Sequence, residues 1–144
     1  LGRILALDVG RKRTGIAITD SLKLIANGVS TVSTGKLFEF FAEYSYTHEV
    51  ELFVVGMPRQ MNNEPSEAVK YVEQVANRIK KLYPNIPICY VDERFTSKIA
   101  HQTMLDGGLK KKDRQNKALA DTISATIILQ SYLESKDFEN YHNK

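Results

Sequence analysis

Four acidic side chains fall where this sequence could do chemistry. Asp8 interrupts the apolar run 4–7, Asp92 and Glu93 close the run 86–91, and Asp121 lies inside a stretch with helical spacing. An ionised carboxylate at the end of a buried strand is costly unless something pairs with it or a metal binds it. In open α/β sheets, ligands gather at the carboxyl ends of the strands, and Asp8 and Glu93 both fall at such ends. Asp121 is a poor helix former that shares an edge with Ala118 and Ala125. It reads either as a third member of the acidic group or as the partner of an Arg or Lys. Three carboxylates at one edge suit a divalent cation that prefers oxygen, Mg²⁺ or Mn²⁺. Two such ions can activate a water and stabilise the leaving oxygen of a phosphodiester. Strand alternation sends Asp92 and Glu93 to opposite faces, so only one of them points at such a cation, and the residues leave open which. The plainer reading of Asp8 is a turn residue.

Basic side chains stand beside these acids. Arg11, Lys12 and Arg13 follow Asp8, Arg94 follows Glu93, and Lys110, Lys111, Lys112 and Arg114 precede the helix of Asp121. The net charge is only +3, but residues 1–23 carry a positive surplus of three and residues 94–117 a surplus of five. Charge concentrated in two segments points to a polyanion partner more than the total does. The alternative is a solvated basic surface.

The elements that must position these groups read as follows. Residues 4–7 and 16–19 are short apolar strands, and the turn between them is bounded by Gly10 and Gly15, which predicts a hairpin. A weak third strand spans 25–34, and Ser33 or Thr34 could cap the next helix. Leu37, Phe40, Phe41 and Tyr44 mark an amphipathic helix over 36–48, with His48 at its end. Residues 51–56 form a strand that runs into Gly56-Met57-Pro58. Ser66 is the expected cap of a helix over 67–82. A strand over 86–91 follows, then a short helix starting near Thr96 or Ser97 and ending at Gly107-Gly108. The last helix runs from about 115 to 133. This order predicts an α/β fold with a mixed sheet, antiparallel first strands and parallel later ones.

Length and composition narrow the class. The chain has 144 residues, 42% apolar and 26% charged, as expected of one globular domain over 1–135 with a polar tail over 136–144. No apolar run is long enough to span a membrane, and the first residues lack the layout of a signal peptide. The lone Cys89 fits a buried, inert thiol. A cytoplasmic protein with no membrane association is expected.

Asp8-x-Gly10 with Gly15-x-Ala17, then Gly56-x-Pro58 and Met61, then Asp92-Glu93-Arg94, then Ala120-Asp121-x-x-x-Ala125 resemble the YqgF/RuvX family in order and spacing over about residues 3–133. Asn63 stands where that family often has Gly. The resemblance implies an RNase H-like fold with a five-stranded mixed sheet, its first three strands antiparallel and helices on both faces. It implies a hydrolase acting on nucleic acid: a nuclease of the small-subunit ribosomal RNA precursor, or a Holliday junction resolvase acting on branched DNA. The family's acidic triad carries over to Asp8, Glu93 and Asp121. Related resolvases have a glutamate on the strand matching 51–55, where this chain offers no acid near the strand's end; Glu93 takes that place, with Asp92 as its substitute. Mg²⁺ or Mn²⁺ is the expected cofactor. Arg11, Lys12, Arg13, Arg94, Lys110, Lys111, Lys112 and Arg114 are the expected phosphate contacts, on a monomer or homodimer. Two other readings stand beside this one. A non-catalytic RNA-binding module would keep the acids for stability. The hairpin also resembles that of the sugar kinase and actin-like ATPases, which need two such domains.

Overall fold

The computed structural model describes residues 2–58, 67–93, 117–135 and 138. Five strands form one sheet: β1 (Arg3–Val9), β2 (Arg13–Thr19), β3 (Ala26–Ser33), β4 (Val50–Met57) and β5 (Ile88–Asp92), in the order β3-β2-β1-β4-β5. β1 pairs antiparallel with β2, and β2 with β3, while β4 lies parallel to both β1 and β5. The carboxyl ends of β1, β4 and β5 therefore share one edge of the sheet with the β1–β2 turn. This is the mixed sheet that the element order predicts and the RNase H-like arrangement that the family resemblance implies.

Helices cover both faces. α1 (Leu37–Ser45) and α2 (Glu67–Leu82) lie on one side, where Leu37, Phe41, Val72, Val75 and Ile79 pack against Leu5, Leu7, Val9, Phe53 and Val55. α3 (Lys117–Leu133) covers the other, where Ala125, Ile128, Leu129 and Tyr132 meet Ile4, Ala6, Ala17, Leu52 and Val54. β1 is apolar on both faces because it is central and covered twice. Its alternation sends Leu5, Leu7 and Val9 to the α1–α2 side and Ile4 and Ala6 to the α3 side. Asp8 continues the second series, so its side chain belongs to the α3 face.

Several boundaries differ from the sequence reading. β1 does not stop before Asp8 but runs through it to Val9, with Asp8 opposite Gly15. β5 starts at Ile88 because the Ile86 N–H is spent on the Tyr83 carbonyl, closing the end of α2, and Pro87 has no N–H to give. α1 ends at Ser45, where the Ser45 and Thr47 hydroxyls donate to the Ala42 and Tyr44 carbonyls. His48 lies beyond it, its ring stacked on that of Tyr44 at 4.3 Å. No side-chain cap precedes α1; a 3₁₀ turn over Thr34–Lys36 does. Met61, Asn63, Ser66, the helix expected after Thr96 and the tail from 136 lie outside the described residues, apart from Phe138. No helix among the described residues is long and apolar enough to cross a membrane.

Candidate active site

The three carboxylates reach the shared strand edge by three different local devices. Asp8 is carried by β1 onto the α3 face, one pairing step from the turn. Glu93 follows the last residue of β5, and its N–H donates to the Met57 carbonyl at 3.1 Å, which ties it to the end of β4. Its carboxyl lies over Gly56: a Cβ there would come within 2.5 Å of Glu93 Oε1. Asp121 sits on α3 above β2, where Gly15 lets the helix backbone touch the sheet.

Asp8 and Glu93 meet through a direct hydrogen bond between their carboxyl groups. Burial pushes the Glu93 carboxyl up, to about 9, and the hydrogen bond to Asp8 and the charges of Asp8 and Asp92 push it the same way. Asp8 is raised as well, chiefly by burial; the Glu93 hydrogen bond opposes that rise and the Asp121 charge adds to it. Two buried carboxyls in contact cannot both ionise freely, so the pair holds on to one proton between them. Asp92 goes to the other face, where it lines a cleft of about 550 Å³ with Glu73, Asn77 and Lys80 of α2. The alternation that left Asp92 and Glu93 interchangeable is thereby resolved geometrically: Glu93 is the one beside Asp8.

Asp121 is turned to a different neighbour. Arg13 Nε donates to Asp121 Oδ2 at 3.0 Å. Among the described residues, no three His, Cys, Asp or Glu side chains are gathered as a metal-holding group. The donor set at this edge is nonetheless all oxygen, which fits a hard divalent cation and not a zinc-type site.

The hairpin tip is held from outside the hairpin. Thr34 Oγ1 donates to the Gly10 carbonyl at 2.7 Å and lies 2.9 Å from Thr14 Oγ1, while the Thr34 N–H donates to the Lys12 carbonyl at 3.0 Å. Thr34, a possible cap by its place in the sequence, has its partners twenty or more residues away, and no local pattern announces them. The anchored tip leaves Arg11 and Lys12 exposed beside the acidic edge. α3 is fixed on β3 in a similar way, by Thr31 and Thr122 hydroxyls 2.6 Å apart. Asp20, the acid at the far end of β2, is a loop residue: it accepts from the Leu24 and Ile25 N–H groups, which hold its carboxyl below the usual range. Arg94, Lys110, Lys111, Lys112 and Arg114 lie outside the described residues.

The RuvX family model, described as Holliday junction resolvase, matches residues 2–135. A Parabacteroides distasonis protein named "Putative pre-16S rRNA nuclease" is 58% identical over 139 residues, 96% of this chain and 99% of its own length. Proteins of the same name from Bacteroides thetaiotaomicron and Flavobacterium johnsoniae are 59% and 50% identical, over 96% and 94% of this chain and 100% and 99% of their own lengths. Among solved structures, T. thermophilus RuvC in complex with Holliday junction substrate is similar in fold, with a TM-score of 0.54 at 16% identity, covering 92% of this chain and 94% of that one. With the family model spanning nearly the whole of the two-sided sheet just described, and relatives at least half identical along almost their full lengths, this chain belongs to the RuvX family.

Proposed function

We propose that this protein is a metal-dependent nuclease that hydrolyses phosphodiester bonds in structured RNA, with the precursor of 16S ribosomal RNA as its substrate. The observation that carries the reading is the meeting of the Asp8 and Glu93 carboxyls at the strand edge, with Asp121 on the helix above them. Two buried acids in contact have little reason to be placed together in a structural role, since one must stay protonated. They suit a site that receives positive charge. The names of the relatives support the choice of ribosomal RNA.

Asp8, Glu93 and Asp121 would hold Mg²⁺ or Mn²⁺. Bound there, such an ion supplies charge that activates water and stabilises the leaving oxygen of a phosphodiester. The chain's own residues do the rest. Asp8 presents its carboxyl on a rigid central strand. Glu93 holds a proton that it must surrender when positive charge arrives. Arg11 and Lys12, on a tip pinned by Thr34, contact the phosphate backbone, and Arg94, Lys110, Lys111, Lys112 and Arg114 extend that footprint. The uneven charge of the chain supports this: its positive surplus lies in the two segments that border the acids.

The test is cleavage of a labelled 16S precursor fragment with Mg²⁺ or Mn²⁺, with chelator, and with Asp8→Asn. Metal-dependent cutting that is lost in Asp8→Asn supports the reading. RNA binding that persists with no cutting under any condition favours a non-catalytic module. The description of the family model favours a second substrate, branched DNA. A four-way DNA junction run in parallel decides between them: preferential, symmetric cutting of the junction would replace RNA by DNA.

A further inference from the structure

Arg13 opens β2 two residues before Gly15, on the face that α3 covers, and its Nε donates to Asp121 Oδ2 at 3.0 Å. Both side chains are partly exposed, at 39% and 27%. The helix backbone at Asp121 is fixed by its contact with Gly15. The carboxyl of Asp121 can therefore be redirected only by rotating its own side chain, toward Arg13 or toward the Asp8–Glu93 pair.

We propose that Arg13 is a latch on Asp121: its guanidinium occupies this carboxylate in the cation-free protein and yields it to a divalent cation, turning instead to a phosphate of the nucleic acid. The inference rests on the function proposed above and adds a positioning residue to it. Two cations compete for one carboxylate. An arginine–carboxylate pair is a charge-assisted hydrogen bond, but one this exposed is weak enough for a divalent ion to displace. The guanidinium matches phosphate geometry as well as carboxylate geometry, so its release creates a phosphate ligand at the site as the cation arrives. Arg13 thus differs from Arg11 and Lys12, which are exposed at the tip whatever Asp121 does. The latch also accounts for why three acids on one edge do not form a closed group among the described residues.

The test is Mn²⁺ titration of the full chain without nucleic acid, read by calorimetry and by the electron spin resonance of free Mn²⁺. Arg13→Gln is expected to bind Mn²⁺ roughly tenfold more tightly than the wild type, by loss of a competing charge in close contact. Arg13→Lys should fall between the two. Arg11→Gln, which removes the same charge from the tip, should gain much less, and the gain of Arg13→Gln should vanish when Asp121→Asn is added. A folded Arg13→Gln that binds Mn²⁺ no more tightly than the wild type, or a gain that survives Asp121→Asn, overturns the latch. Mn²⁺ binding that requires Asp8 but ignores Arg13 removes the latch alone. No Asp8-dependent binding in any variant removes the metal reading and the latch together. If Arg13→Gln does not fold, the wild type decides: the Arg13 Nε–Hε resonance should move on adding Mg²⁺, and a signal that stays in place overturns the proposal.

Discussion

Gly15 lies directly beneath Asp121. A Cβ at position 15 would overlap the carbonyl oxygen of Asp121 and the peptide that follows it, so β2 and α3 touch backbone to backbone at this point. Asp8 is paired with Gly15 across the hairpin, so the same contact fixes how far Asp121 stands from Asp8. A residue without a side chain thereby sets the spacing of two that carry charge.

Gly15→Ala should be among the most damaging single-methyl changes in the chain. The obstacle is helix backbone, which cannot rotate away, so α3 must lift. We expect a loss of about 1–3 kcal/mol in stability by overpacking. Cleavage should fall more steeply than stability does, because Asp121 leaves its position. Thermal melts read beside RNA cleavage check both parts.

Gly56→Ala should behave differently although its added Cβ is also crowded. Its obstacles are the ends of two side chains, Glu93 Oε1 at 2.5 Å and Ile128 Cδ1 at 2.6 Å, which can move. Stability should fall by about 1 kcal/mol, the low end for overpacking. Cleavage should still drop, since the carboxyl displaced is that of Glu93. Equal losses of stability in Gly15→Ala and Gly56→Ala would contradict the distinction drawn between backbone and side-chain obstacles.

The raised Glu93 carboxyl makes the metal-free protein sensitive to pH. From its ordinary value of 4.5 up to about 9, folded Glu93 keeps a proton that the unfolded chain has lost. Stability therefore declines as pH rises through that window, and the contribution is most favourable below it. In chelator, the Tm of the wild type should fall relative to that of Glu93→Gln as pH is raised. A Tm difference that is constant with pH would show that Glu93 does not carry the shift.

Asp8→Asn should separate stability from activity. It removes a buried ionisable group crowded by Glu93 and Asp121, so in chelator Tm should hold or rise. Cleavage should fall by about 100-fold or more, as expected for the loss of a metal-holding group. Cleavage that survives the substitution would move the chemistry away from this edge.

Arg11 and Lys12 should be felt through salt. Replacing both by Ala should reduce the slope of log affinity for RNA against log salt by about 1–2, one phosphate contact each. Thr34→Val should act on the same property indirectly: it removes the hydroxyl that anchors the Gly10 carbonyl, costs about 1 kcal/mol, and loosens the tip. Filter binding across a salt series measures both.

The sequence alone was enough to lay out the elements and to single out Asp8, Asp121 and one of Asp92 or Glu93 as candidate acids. Apolar runs and helical spacing depend on neighbours along the chain, so the five strands and the described helices were legible, with errors of a few residues where hydroxyls or proline redirected a hydrogen bond. The hairpin of Asp8 and Gly15 was legible for the same reason, as was the segregation of basic charge. The tertiary structure decided what those residues face. Alternation says that Asp92 and Glu93 diverge, but only the side on which α3 packs says that Glu93 is the one that meets Asp8. Arg13 and Asp121 are 108 residues apart, and Thr31 and Thr122 are 91 apart. Such pairs form because sheet order and helix stacking bring distant segments into one layer, and no local pattern encodes that layer's register. Ion pairing and carboxyl contact act through space at a few ångströms, so they become readable only once the layers are assembled.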